Sequence, residues 1–382
     1  MKAFRKIKTY ITNGGFRETD IIFNDTIVGW EGESTEEIVA PQGCMVIPGF
    51  IDQHVHGAGG AESCDKDFSA FEQMAETLAK GGTTAFLATT VTQEKDELKS
   101  ELSMLADYME MNFAKGAKML GVHMEGPFLS VKYKGAMKEH FILDPDIEIF
   151  EAFYNASKQT IKMVTIAPES KNAGVLIRYL KDKGITVSMG HTAATYLDVE
   201  AAVANGATCV THTYNAQSPL HHREVGMLGS ALLLDEIYCE LIADGVHVSI
   251  PAMKLLVKNK PKDKLILITD ALRAHGLPQG LSETGGLPII ITSDCARLLN
   301  GTLAGSVLPM NRMLEKLVKE VGVELETAID YATINPAKNL NIDGRKGSIE
   351  IGKDADFTIL DESFNVYMTI RGGNIIYDNR RE

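Results

Sequence analysis

The strongest constraint on this chain is an alternation that begins near residue 48 and continues to about residue 340: short apolar, β-branched runs, each followed by a longer stretch with helical spacing. Continuous apolar runs of this length read as strands buried on both faces, because such a strand has no solvated side toward which polar residues would alternate. They occupy 45–54, 83–90, 118–123, 161–166, 185–189, 207–212, 238–242 and 265–269. Between them, 96–114, 172–183 and 196–205 carry apolar residues at helical spacing, and Gly184 and Gly206 stand where a helix would stop. Strand and helix in alternation build a parallel sheet. Eight repeats match an α/β fold of the closed (β/α)8 TIM type, with an open doubly wound sheet as the alternative.

The two ends do not share this pattern. Up to about Cys44 the apolar pieces are short and broken by Gly, Asn and Asp, and after Gly347 the runs SIEIG, DFTIL and NIIYD are bounded by the same turn residues. We read 1–47 and 348–382 as one small β-sandwich domain built from both termini, around a barrel of 48–347.

Composition removes several function classes. Lys plus Arg number 38 against 51 Asp plus Glu, a net charge of −13 spread along the chain, which argues against non-specific nucleic-acid binding. No stretch approaches about 18 uninterrupted apolar residues, and the N-terminal MKAFRKIKTYITNGG has no apolar core of a signal peptide, so no membrane partner is expected. Cys44, Cys64, Cys209, Cys239 and Cys295 are odd in number and widely spaced, which suits a reducing cytoplasm and neither a disulfide framework nor a zinc knuckle. There is no G-x-x-x-x-G-K-[ST] loop and no G-x-S-x-G elbow.

Side chains at the C-terminal ends of barrel strands converge on one mouth. The first expected strand ends in His54-Val55-His56, whose imidazoles share a side at spacing two. The third ends in His123-Met124-Glu125, the fifth in Gly190-His191, the sixth in Thr211-His212 and the eighth in Thr269-Asp270. Burying so many ionisable groups together is costly unless a cation compensates. The motif set therefore points to a bound divalent metal; imidazole and carboxylate without thiolate suit zinc, iron, manganese or cobalt without choosing among them.

Taken together, PGFIDQHVHG, GVHMEGPF, VSMGHTAAT, VTHTYNAQSPLHHREVG, LITDAL, TLAGS, INPAKNL and GSIEIGKDADFTILD resemble the N-acetylglucosamine-6-phosphate deacetylase family of metal-dependent amidohydrolases, over nearly the whole chain. The resemblance implies the barrel with its small β domain and hydrolysis of N-acetylglucosamine 6-phosphate to glucosamine 6-phosphate and acetate. It implies Glu125, His191 and His212 as principal metal ligands, Asp270 as the catalytic carboxylate, and His54 with His56 as holders of a second ion or completers of the first, so one or two ions per subunit. Ile166-Ala167-Pro168 ends the fourth strand without the bridging Lys of other superfamily members, which makes Glu125 the expected bridge. The resemblance also marks Ala136, Asn215, Ala216, Arg223, Asp244, Gly245, Val246, His247, Leu303, Ala304, Gly305 and Ser306 as substrate contacts. Arg223 and His247 would take the phosphate, Arg223 from across the interface of a homodimer. Met137 stands where the family often has His. The alternatives are deacetylation of the galactosamine epimer and a non-catalytic barrel of the same descent.

Overall fold

Eight parallel strands form the centre of the molecule in the computed structural model, which describes residues 1–111 and 115–381. They are β1 (Phe50–Val55), β2 (Thr83–Thr89), β3 (Lys118–Glu125), β4 (Ile161–Ile166), β5 (Thr186–Met189), β6 (Cys209–Val210), β7 (Tyr238–Ile242) and β8 (Leu265–Ile268). Each pairs in parallel with its sequence neighbours. The first and last meet where the Asp270 amide donates to the His54 carbonyl at 2.9 Å and Val55 bridges Ala271. Every residue of β1 and β2 is buried, the two-sided burial that the unbroken apolar runs require.

Helices α1 (Phe68–Lys80), α2 (Lys95–Met111), α3 (Ile147–Ala156), α4 (Ala173–Asp182), α5 (Tyr196–Asn205), α6 (Gly226–Leu233), α7 (Ile250–Asn259) and α8 (Met310–Lys316) follow the strands. Their ends are set locally. Thr195 accepts from the Asp198 amide while the Asp198 carboxylate accepts from the Thr195 amide, which starts α5, and Gly206 stops it at φ 117°, a left-handed value that costs glycine nothing. In α4, Leu176, Ile177 and Leu180 form the buried stripe. The expected helix 96–114 is α2; positions 112–114 lie outside the described residues.

Two sequence readings are corrected. The run 45–54 is two strands, because Met45–Pro48 pairs antiparallel with Phe357–Leu360 in the terminal sheet and only β1 enters the barrel. The handover falls at Gly49, where any Cβ would collide with the Thr84 side chain. The sixth run, expected over 207–212, is a two-residue strand: the chain turns at His212 (φ 29°), whose amide donates to Glu240 Oε2 at 3.1 Å while the Thr213 amide donates to the Glu240 carbonyl at 2.9 Å.

Strands from both termini form an eight-stranded sheet, ordered Asn374–Asp378, Val366–Arg371, Phe357–Leu360, Met45–Pro48, Lys2–Ile11, Gly15–Phe23, Ile27–Gly29, with Glu36–Glu37 also paired to Lys2–Ile11. Phe23 and Phe357 sit three strands apart in that order, about 14 Å on a flat sheet. Their ring centroids are 5.0 Å apart, and Phe4 contacts both, so the sheet folds over on itself around an aromatic core.

After β8 a small antiparallel sheet is inserted: β9 (Gly280–Thr284), β10 (Leu287–Ile291) and β11 (Ala296–Leu298). The sequence reading missed it. Its signal was Gly285-Gly286 between two strand-forming runs, both glycines at positive φ in a two-residue hairpin turn.

Candidate active site

Three of the expected functional residues lie just past strand ends in the left-handed region: His191 at φ 46°, His212 at 29° and Asp270 at 49°. A non-glycine residue held there costs on the order of 1–3 kcal/mol, tolerated where surrounding contacts over-determine the backbone. Here those turns bring the side chains of β5, β6 and β8 into the barrel mouth beside Glu125, the last residue of β3.

The side chains converge. Glu125 Oε1 lies 3.0 Å from His212 Nε2 and 3.3 Å from His191 Nε2, and those two nitrogens are 3.1 Å apart. The other carboxylate oxygen, Oε2, is 3.2 Å from His56 Nε2. Asp270 Oδ1 stands 3.3 Å from His56 Nε2 and 3.5 Å from His54 Nε2. Ligands about 2.1 Å from a tetrahedral ion stand about 3.4 Å from one another, so these separations suit donors around a common cation. Glu125 belongs to two such groups, one with His191 and His212 and one with His54 and His56. His54 Nε2 is buried without a hydrogen-bond partner, an orphaned ring nitrogen that could serve a cation. The residues fit a divalent metal.

Burial disfavours every charge in this cluster, and the opposite charges outweigh it. The His54 and His56 imidazoles hold Asp270 down to about 2, and His54 and His191 hold Glu125 well below the ordinary carboxylate value. In return Glu125 and Asp270 raise His54 well above 6.5 and His56 to about 9. The rings are also aimed from behind: His191 Nδ1 donates to the Tyr133 carbonyl at 2.8 Å, and His54 Nδ1 to Glu240 Oε2 at 3.0 Å. Glu240 was absent from the sequence reading. Its only signal was a single acidic residue inside the strand YCELI.

Above the cluster opens a cleft of about 420 Å³. Of the expected substrate contacts, Ala136, Asn215, Ala216, His247, Leu303, Ala304 and Gly305 line it. Asp244, Gly245, Val246 and Ser306 do not line it. Asp244 Oδ1 accepts from the Val246 and His247 amides at 2.8 Å, and the Ser306 amide donates to the Asp270 carbonyl at 2.8 Å. His247 donates from both nitrogens at 2.6 Å, Nδ1 to Asp244 and Nε2 to the Ala304 carbonyl, and is raised above 6.5 because Asp244 and Asp270 overcome its burial. Arg223 is exposed and lies outside this cleft, with Nη1 2.9 Å from His222 Nε2. The wall also includes Met137, Lys138 and, from the inserted hairpin, Thr284, Gly285 and Leu287, none of which the sequence reading had singled out as binding residues. His140, His221 and His222 do not line the cleft, and the buried His275 bonds the Val307 carbonyl at 2.9 Å away from it.

A parallel eight-stranded barrel with imidazoles and carboxylates gathered at its C-terminal mouth defines a metal-dependent hydrolase of the amidohydrolase type. The amidohydrolase family model matches residues 45–376, and the chain belongs to that family. Within it, the chain is 42% identical over 345 residues to the N-acetylglucosamine-6-phosphate deacetylase of Bacillus subtilis, covering 90% of this chain and 87% of that protein. It is 34% identical over 322 residues to the N-acetylgalactosamine-6-phosphate deacetylase of Escherichia coli O157:H7, covering 84% and 85%. The crystal structure of N-acetylglucosamine-6-phosphate deacetylase from Thermotoga maritima superposes with a TM-score of 0.89 at 34% identity, covering 98% of this chain and 99% of that one.

Proposed function

We propose that this enzyme hydrolyses N-acetyl-D-glucosamine 6-phosphate to D-glucosamine 6-phosphate and acetate. The observation that carries the reading is the convergence of Glu125 with His191 and His212 at 3.0–3.3 Å, opposite Asp270, on the floor of a cleft of monosaccharide size. The kinship with deacetylases of phosphorylated amino sugars supplies the substrate class.

Glu125, His191 and His212 would hold one divalent ion, and His54 and His56 a second that shares Glu125. Zinc or iron is the proposed metal, with manganese or cobalt compatible with the same donors. When bound, such an ion polarises the acetyl carbonyl and acidifies water at neutral pH. Asp270, ionised at neutral pH, accepts the proton of the attacking water on its carboxylate and passes it to the sugar nitrogen, so that the amine departs neutral. Asn215 and the Ala216 region orient the sugar, while His247 supplies positive charge beside the phosphate.

Arg223 supports a homodimer in this reading, because an exposed guanidinium outside its own cleft is free to serve the cleft of a neighbour. The division into 1–47 with 348–382 and 48–347 belongs to the same proposal, and so does a cytoplasmic location, which rests on five unpaired cysteines. Among the described residues, no helix is long and apolar enough to cross a membrane.

Incubation of the purified protein with the glucosamine and galactosamine epimers, with acetate release and bound metal measured on the same samples, tests the assignment. Acetate from the glucosamine epimer is the expected result. Preference for the galactosamine epimer would transfer the assignment to that substrate, and release from neither would overturn the function.

A further inference from the structure

We infer that Glu240 is the positioning residue that aims the His54 imidazole at the metal cluster. The inference deepens the two-ion reading above and rests on it. Glu240 projects from β7 into the barrel and is 0% exposed. Its carboxylate meets only donors: Oε2 accepts from His54 Nδ1 at 3.0 Å and from the His212 amide at 3.1 Å, and Oε1 accepts from Gln53 Nε2 at 2.7 Å. Gln53 is held in turn, its Oε1 accepting from Asn339 Nδ2 at 3.0 Å.

A ring that donates from Nδ1 to a carboxylate presents Nε2 as its ligating nitrogen. That atom of His54 is buried without a hydrogen-bond partner, 3.5 Å from both Glu125 Oε1 and Asp270 Oδ1. The same carboxylate pins the amide of His212, whose φ of 29° a free chain would rarely adopt. One buried group therefore holds a member of each ligand set, the ring of His54 and the backbone of His212. His54, His123 and Glu240 also lie within reach of one another, but His54 Nδ1 is already bonded to Glu240 and His123 Nε2 to Thr165 Oγ1 at 2.8 Å. This trio reads as support for the ligand ring, not as another cation site.

The test uses cobalt(II) as the probe, with ions per chain, affinity and the visible absorption of the bound ion measured on the full-length protein, its Glu240→Leu, Glu240→Gln and His54→Ala variants, and Glu240→Leu combined with His54→Ala. Glu240→Leu removes the acceptor and should weaken one ion about 10- to 100-fold, with most of that effect absent in the His54→Ala background. Glu240→Gln keeps one acceptor oxygen once the Gln53 and Asn339 amides turn over, and should recover part of the affinity. If Glu240→Leu does not fold, Glu240→Ala, which also removes the acceptor, takes its place, and parental cobalt binding in Glu240→Ala would then overturn the inference. Parental binding in both Glu240 variants while His54→Ala loses an ion overturns the Glu240 role and leaves two ions standing. Unchanged binding in His54→Ala overturns the two-ion reading and the inference with it.

Discussion

At the scale of single residues the site works by mutual compensation of buried charge. Asp270, held to about 2, stays a proton acceptor across the neutral range. Asp270→Asn occupies the same volume without accepting the proton, so turnover should fall at least about 10²-fold while bound metal, measured by elemental analysis, is retained; turnover within a few-fold of the parent would remove Asp270 from catalysis. His247 carries a pH dependence. Its folded pKa lies above the ordinary 6.5, so its positive charge is present at lower pH and is lost as the pH rises through the raised value. The substrate phosphate is already a dianion above about pH 7, so KM should rise on the alkaline side. Asp244→Asn removes the nearer of the two raising carboxylates and should move that rise to lower pH. Superimposable KM profiles for the two proteins would show that His247 does not carry the phosphate.

At the scale of elements, the inserted hairpin is the wall that depends most on a few contacts. Buried Glu62 accepts from the Gly285 amide at 3.0 Å, from the Thr284 hydroxyl, and from Arg273 Nη2 at 3.2 Å, while Lys138 Nζ reaches the Gly285 carbonyl at 3.3 Å from the other side. This clasp seats the turn whose Thr284 and Gly285 line the cleft. Glu62→Gln places an amide among donors and loses a charge-assisted contact, so KM should rise about tenfold with kcat little changed, and limited proteolysis should cut sooner at the hairpin. A second junction ties the barrel to the terminal sheet after α9 (Leu325–Ala332) and α10 (Ile334–Asn339). There Lys346 Nζ bonds Asp354 Oδ2 at 2.9 Å and also Asp356, all largely buried. Lys346→Met leaves the buried Asp356 without its cation, while Asp354 keeps Arg345 Nη2 at 2.8 Å, and should cost about 3–5 kcal/mol in a urea titration. Unaltered stability would mean that water reaches this junction.

At the scale of the whole molecule, the proposal that the exposed Arg223 serves a neighbour's cleft ties assembly to the chemistry. Arg223→Ala should raise KM for the phosphorylated sugar and hardly alter the slow reaction of the unphosphorylated one, a difference of about 1.5–3 kcal/mol for a charge-assisted contact. Mixing Arg223→Ala with Asp270→Asn protein should restore activity, because a mixed dimer can place an intact Arg223 beside an intact Asp270. No recovery after proven subunit exchange would confine each site to one chain. How much of this was legible in the chain depends on the range of the interaction. Most strand positions, the helix stops at Gly184 and Gly206, and the polar residues at strand ends follow from local sterics and periodicity, and were legible in the sequence alone. It could not show that the run 45–54 divides at Gly49, because the collision there is with Thr84, on another strand. Nor could it single out Glu240 or Glu62, since a buried acid reads alike whether it faces His54 or a helix. The donors around Glu240 are set by the tertiary fold: barrel closure brings β1 and β7 within hydrogen-bonding distance across more than 180 residues of sequence, and local pattern carries no record of that approach.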